Sequence, residues 1–389
     1  MILHGYYLSD PRVRREAEAL FKAGYEVEVV CCRAQREAVK ETVDGIRIMR
    51  LPIEKKRGGF CRYVFEYSSL TLLGTWKLAM LHASHRFDVI HVHNMPDILI
   101  VAGVIPKLLG AKLILDVHDP MVEHYCATYH IGSRGLFALA LKTQERLSYW
   151  LADWVVTVSD TMSELLQDRG ISSHRIFVLH NFPDDNKFPI KRVEDPWVGP
   201  ANRFTLLYCG TVTEHYRLDI VIRALQRASL RLPLLRLTIL GTGNKLEQIK
   251  QLAKDLHVED RVRYLKPVPV EGVRDVMTGS DVVISAHQAG IFGDLYFSTK
   301  ILESMTQGLP VISSRTKTIS RYIPEEAVFY FEPGNVNDLV TQIVRIGTQP
   351  HLAREKRAHA FNLVKGYMWS SESKRLVDLY RKILEAPRK

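Results

Sequence analysis

The segment AGIFGDLYFSTKILESMTQGLPVISS, residues 289–314, reads as a loop, a helix and a strand in succession. Ser298 or Thr299 supplies an N-cap, the helix runs to Gln307, Gly308 stops it, and Pro310 leads into an apolar strand at Val311–Ser313. A loop that carries a helix amino terminus to the edge of a parallel sheet presents unpaired N–H groups and the positive end of the helix dipole, which together favour a phosphate. Ser298, Thr299, Lys300 and Ile301 form that first turn, and the Lys300 ammonium adds a full charge. Glu303 lies three residues on, on the same face, where it can accept hydrogen bonds from a ribose diol. The plain alternative is a surface Lys–Glu pair on a capped helix.

Short apolar runs alternate with amphipathic stretches through the rest of the chain, the pattern of parallel βαβ units. The first half carries expected strands at Ile2–Leu3, Val27–Cys31, Ile46–Leu51, Val89–Val92, Lys112–Val117, Trp154–Ser159 and Ile176–Leu179. Helices are expected at Arg12–Ala23, Tyr63–Ser84 and Leu136–Leu151. The first strand is short for a buried parallel strand, so natural residues are expected before Met1. Pro183–Pro200 (PDDNKFPIKRVEDPWVGP) is polar, holds four prolines and reads as a linker. A second series follows at Thr205–Cys209, Arg236–Leu240, Val262–Leu265, Val282–Ser285 and Val311–Ser313. With 389 residues, two cores are expected. The division is 1–182, a linker at 183–200, 201–368, and a last helix within 369–389 that packs back on the first domain.

Three further stretches bear on chemistry. LLYCGTVTEHYRLDIVIRA ends a strand at Gly210 and Thr211, with His215 and Arg217 before the next helix, where they can help to neutralise a diphosphate. LTILGTGNK places Gly241 and Lys245 after a strand, but Leu246 stands where the dinucleotide fingerprint needs its third glycine, and no acidic residue follows at the required distance. A dehydrogenase is therefore disfavoured. LILDVHDPMVE puts His118 and Asp119 at the carboxyl end of a strand, the edge at which open α/β sheets bind ligands. A metal held by His91, His93, Asp116, His118 and Asp119 is the rival reading of that edge. No HExxH and no DxD triplet is present, so a metal-free site is expected.

Composition narrows the class. Hydrophobic residues make up 46% and charged residues 25%, which excludes a disordered, collagenous or coiled-coil chain. The formal charge is +10, and residues 345–389 hold 11 basic against 4 acidic side chains. That excess suits a phosphorylated small molecule or an anionic membrane. Nucleic acid is disfavoured, because no zinc-finger, RNP or zipper pattern accompanies the charge. Five cysteines without a CxxC spacing point to a reducing compartment. The first residues lack the features of a signal peptide, and no apolar run approaches a membrane span, so a cytoplasmic protein is expected. Residues 55–80 set basic side chains beside Phe60, Tyr63, Phe65, Tyr67 and Trp76, which suits either an amphipathic helix on an anionic lipid face or a core helix with a basic lead-in.

Taken in order, these blocks resemble the GT-B glycosyltransferases, specifically the large retaining family 4, over nearly the whole chain. The second half carries YCGTVTEHYRLD, LTILGTGN, RVRYLKPV, SDVVIS and STKILESMTQGLPVIS; the first carries SDPRVRREAEALFKAGYEVEVV, FDVIHVHNMPD, LILDVHDPMVE and VVTVSD followed by VLHNFPD. The resemblance implies two Rossmann-like domains facing a central cleft, and transfer of a hexose from a nucleotide-sugar to a glycan or lipid-linked acceptor with the anomeric configuration kept. It implies no cofactor and no metal. By position Glu303 would hold the ribose, Lys300 and the amides near Ser298 and Thr299 the diphosphate, and His118 the donor sugar. A role in cell-surface polysaccharide synthesis, on the cytoplasmic side of a membrane, follows from the same likeness.

The chain departs from the family pattern at three places. Leu295 replaces the first Glu of the E-x7-E motif, with Asp294 one place off register. His215 stands where Arg is common and Arg217 where Gly often follows. The glycine-rich loop after the first strand is HGYYLSD, with only Gly5. Two other functions share these features: a non-hydrolysing nucleotide-sugar epimerase, and a non-catalytic glycosyltransferase-like partner protein.

Overall fold

In the computed structural model, which describes residues 1–55, 60–128, 135–191 and 203–385, the short apolar runs become the strands of two separate sheets. The chain divides into two compact units, Met1–Asn181 with Glu372–Lys389, and Phe182–Ser371.

The first unit runs β1 (Ile2–Leu3), α1 (Pro11–Lys22), β2 (Glu28–Cys32), β3 (Lys40–Val43), β4 (Ile46–Leu51), α2 (Phe60–Ser84), β5 (Val89–His93), α3 (Val104–Leu108), β6 (Lys112–Val117), α4 (Met121–Thr128), α5 (Leu136–Leu151), β7 (Trp154–Thr157), α6 (Asp160–Asp168) and β8 (Ile176–Val178). Strand order is β3-β4-β2-β1-β5-β6-β7-β8, parallel except for the antiparallel β3 at one edge. Ile2 sits opposite both Val30 and Val92, so the order reverses at β1, between β2 and β5. Ligands of open sheets bind at the carboxyl ends of strands at such a reversal. Local signals set the boundaries. The Asp10 carboxylate accepts from the N–H groups of Arg12 and Val13 and Pro11 opens α1. Ser159 caps α6 by accepting from Met162 N–H at 3.2 Å, so β7 ends at Thr157 rather than at Ser159.

The second unit runs β9 (Phe204–Cys209), α7 (Leu218–Ser229), β10 (Leu235–Leu240), α8 (Leu246–Asp255), β11 (Val262–Leu265), α9 (Val270–Thr278), β12 (Val282–Ser285), α10 (Ile291–Leu295), α11 (Thr299–Thr306), β13 (Val311–Ser314), α12 (Lys317–Tyr322), β14 (Phe329–Phe331), α13 (Val336–Thr348) and α14 (Pro350–Val364). Its sheet is wholly parallel, in the order β11-β10-β9-β12-β13-β14, and reverses between β9 and β12. Leu206, Leu237, Ile239, Ile284 and Ile312 are buried within it, as strands covered on both faces require.

The segment expected to be a linker is in part core. Phe188 is buried in the second unit, as is Phe182, the last residue expected of the first domain, and Lys191 N–H donates to Thr306 O at 2.9 Å. Burying an aromatic side chain contributes about 1.5–3 kcal/mol, which ties this polar stretch to the second core. The remainder of that stretch, 192–200, lies outside the described residues. From Glu372 onward the last helix, α15 (Trp369–Glu385), packs on the first unit. Glu372 accepts from His180 N–H at 2.8 Å, and the Lys382 ammonium lies 4.9 Å from the centre of the Trp154 ring. Among the described residues no helix is long and apolar enough to cross a membrane.

Candidate active site

In the second unit, two glycine turns meet at the carboxyl edge of the sheet. Gly241, after β10, has φ +154°, and a Cβ there would lie 1.9 Å from Gly210 O; a Cβ on Gly243 would lie 2.0 Å from Val212 O. Only glycine allows this contact. Backbone bonds stitch the turns together: Gly210 N–H to Leu240 O at 3.0 Å, Val212 N–H to Thr242 O at 2.9 Å, and Lys245 N–H to Val212 O at 3.2 Å. The result is a backbone platform at the reversal between β9 and β12, with Thr211 exposed upon it.

Lys300 reaches this platform from α11. A Cβ placed on Gly210 would sit 3.2 Å from Lys300 Cε. Among the described residues its ammonium makes no ion pair or hydrogen bond, although Glu303, Tyr296 and Cys209 lie near enough to act on its charge. Burial disfavours that charge, yet those three groups, Glu303 foremost, hold its pKa above the ordinary lysine value. The neighbouring His287 is pushed down to about 4 by burial and by Lys300. Its ring packs against Tyr216 and Tyr296, and its backbone N–H donates to Ser314 Oγ at 2.7 Å. Ser298 occupies the N-cap position of α11, but its hydroxyl makes no capping bond, contrary to the sequence expectation. The turn formed by Ser298 to Ile301 therefore has no side-chain acceptor of its own, while Ile301 itself is fully buried as an anchor.

Other expected cations are differently placed. Arg217 holds Asp219 in a bidentate pair with both bonds at 2.8 Å. Lys245 Nζ stands 4.0 Å from Glu214, and the His215 carbonyl accepts from Gln288 N–H at 3.0 Å. Asp294, one residue from the altered motif position Leu295, accepts from Lys317 N–H at 2.9 Å at the start of α12. That carboxylate serves a helix terminus, so it does not replace the missing glutamate in kind.

In the first unit, His118 belongs to a buried network at the carboxyl ends of β5 and β6. The Asp116 carboxylate lies 2.6 Å from His118 Nε2, 3.2 Å from His93 Nδ1 and 3.6 Å from His91 Nε2. His91 stacks on His93 with ring centres 4.4 Å apart, and its Nδ1 meets the Tyr380 hydroxyl of α15 at 2.9 Å. Burial opposes the charge on Asp116, but the surrounding imidazoles hold its pKa well below the ordinary carboxylate value. Glu16 of α1 faces the same cluster, and burial together with the Asp116 charge pushes its pKa well up. His93 is pushed down to about 3 by burial and by His91. Asp116 thus fixes the His118 ring through Nε2.

Glu16, His93, Asp116 and His118 offer ligand atoms that all lie within 4.8 Å of one another. Two ligands on one tetrahedral zinc stand about 3.3 Å apart, given bonds of about 2.0 Å. The 2.6 Å contact of His118 with Asp116 is instead the length of a charge-assisted hydrogen bond. Asp119 does not join this set. Glu16, Tyr380 and His287 escaped the sequence reading; the first two come from elements far along the chain, and only the topology brings them in.

Comparison with known proteins follows the same two-part division. A Glycosyl transferase 4-like domain matches residues 9–181, and a Glycosyl transferases group 1 domain matches residues 191–362. A phosphatidylinositol N-acetylglucosaminyltransferase subunit of Arabidopsis thaliana is 21% identical over 98% of this chain and 78% of its own length. The D-inositol 3-phosphate glycosyltransferase of Pseudarthrobacter chlorophenolicus is 26% identical over 80% of this chain and 74% of its own. Among solved structures, sucrose-phosphate synthase from Thermosynechococcus elongatus matches with a TM-score of 0.78 at 18% identity, covering 99% of both chains. Anabaena HepE in complex with UDP-glucose matches with a TM-score of 0.72 at 15% identity over 98% of both. With both domain families matched in order along two parallel α/β units, this chain belongs to the glycosyltransferases that join a 4-like domain to a group 1 domain, and it is a transferase of the GT-B fold.

Proposed function

We propose that the protein transfers a hexose from a nucleoside-diphosphate sugar to a glycan or lipid-linked acceptor, with retention at the anomeric carbon and without a bound metal. The observation that carries this reading is Lys300, a half-buried cation with no ion-pair partner among the described residues, set against the Gly210 platform at the sheet reversal. Charge on a departing diphosphate is what such a group stabilises, and a preorganised donor aimed at developing charge is the largest single contribution an enzyme makes. Glu303 holds the ribose, the amides at Ser298 and Thr299 meet the phosphates, and Thr211, His215 and Lys245 border them. Arg217 acts on the phosphates only if it releases Asp219. His118, oriented by Asp116, is the first unit's contribution to handling the sugar.

The bound donor in HepE supports a uridine nucleotide as the first candidate. The names of the two curated relatives, one acting on phosphatidylinositol and one on inositol 3-phosphate, support an acceptor with a phosphorylated or lipid-linked headgroup. We read the pathway as cell-surface polysaccharide synthesis on the cytoplasmic side. A melting-temperature panel with UDP, GDP, ADP and dTDP, each in magnesium and in chelator, tests the donor half. A ligand at 100 times its dissociation constant stabilises the folded chain by about 2.7 kcal/mol. One nucleotide raising the melting temperature equally in both conditions supports the reading; a shift that needs magnesium, or no shift at all, opposes it.

A further inference from the structure

Glu66 and Glu145 are the only acidic residues in α2, α3 and α5, and both are buried. The outer faces of these helices hold large apolar side chains in water. On α2, Phe65, Leu72 and Trp76 are 73%, 71% and 60% exposed, at a spacing that keeps them on one helix face. Leu108 at the end of α3 is 80% exposed, and on α5 Leu136 and Trp150 are 87% and 75% exposed. One such residue on a surface is ordinary, whereas six on adjoining helices are not.

Topology sets these faces side by side. The connections β4 to β5, β5 to β6 and β6 to β7 all advance in the same direction across the sheet, so right-handed crossovers place α2, α3 and α5 on one side of it. Both α2 and α5 pack against the turn Asp97–Gly103 that precedes α3. Arg62 on α2 and Lys142 and Arg146 on α5 are exposed on the same helices.

We propose that this three-helix face docks the first unit on an anionic lipid bilayer. Tryptophan and leucine enter the headgroup boundary while basic side chains meet lipid phosphates, and no exposed carboxylate on these helices opposes the contact. The 25 residues of α2 lie in the plane of the surface rather than across it. None of these residues belongs to the Lys300 or His118 sites, so the docking face stands or falls apart from the donor chemistry.

Flotation of the full chain with vesicles tests it, using phosphatidylcholine alone and with roughly one-third phosphatidylserine. The anionic vesicles are expected to carry at least about tenfold more protein than the neutral ones, less so in high salt. The doubly substituted chain Trp76→Ser with Trp150→Ser, and separately Lys142→Glu with Arg146→Glu, are expected to lose about tenfold in partition while keeping the wild-type melting temperature. Equal recovery with both vesicle types, or variants that float as well as wild type, would overturn the proposal. So would a stable dimer in sedimentation velocity that the tryptophan variant dissociates, because the face would then belong to a second copy of the chain.

Discussion

The two units place polar groups at the same point of a similar sheet, yet treat them in opposite ways. At the reversal in the first unit, His118, His93 and Asp116 lie within hydrogen-bonding distance of one another, with His93 and Asp116 buried. At the reversal in the second, Lys300 keeps its charge with no ion-pair partner among the described residues, over a floor of glycine backbone. A closed network fixes the orientation of a side chain, whereas an unpaired cation at a backbone surface is an anion site waiting for its charge. On the function proposed above, the diphosphate falls to the second unit and positioning to the first.

Removing the unpaired charge breaks the contrast most severely. Lys300→Ala is expected to lower turnover about 100- to 1,000-fold, the cost of losing one donor to a developing anion, while the melting temperature without ligand stays the same or rises. Glu303→Gln is expected to weaken a nucleoside diphosphate roughly 10- to 100-fold and inorganic pyrophosphate distinctly less, as competition assays would read, because the ribose contact is lost outright whereas Lys300 loses only a neighbouring charge. In the first unit Asp116→Asn is expected to cut turnover roughly tenfold through misorientation of His118, with the nucleotide dissociation constant unchanged.

Acid sharpens the comparison less strongly. His287 titrates at about 4 in the folded chain against 6.5 when unconstrained, and His93 at about 3. The unfolded chain therefore takes up protons first as pH falls below about 6.5, and stability declines from there through about 4. Asp116, with its depressed pKa, adds its own loss only below about 4. Melting temperatures between pH 7 and 4 should fall, and His287→Gln should flatten that slope; a flat wild-type curve would contradict the burial of these neutral imidazoles. The smallest effect is expected from Arg217→Ala. Because Asp219 already holds the guanidinium, nucleotide affinity should change by less than about threefold, and a larger loss would show that the pair opens for the ligand.

Much of the fold was legible because the strands are apolar runs bounded by turn residues. Ile46–Leu51, Lys112–Val117, Val262–Leu265 and Val282–Ser285 coincide with β4, β6, β11 and β12, and Leu136–Leu151 coincides with α5. β3 was not legible, since Lys40–Val43 is a polar edge strand without an inner face to mark it, nor was β14, whose three residues are too few to carry a period. Lys300 and Gly210 were each marked by a local signal, a helix start after a loop and a glycine after a strand, but their approach to one another is tertiary. The pairing of Arg217 with Asp219 was equally local but competes with the phosphate reading, and only coordinates decide between two acceptable partners. The network around His118 draws on Glu16 and Tyr380, contacts that close loops of about 100 residues or more and leave no periodic trace.

On the proposed function, Lys300 and the glycine platform bind a diphosphate without a metal. Isothermal titration in chelator, with UDP and UMP against wild type and Lys300→Ala, tests it most directly. Wild type is expected to bind UDP at least about tenfold more tightly than UMP, and the substitution to abolish the preference. Equal affinity for UDP in the two proteins, or binding that appears only when magnesium is restored, would contradict it.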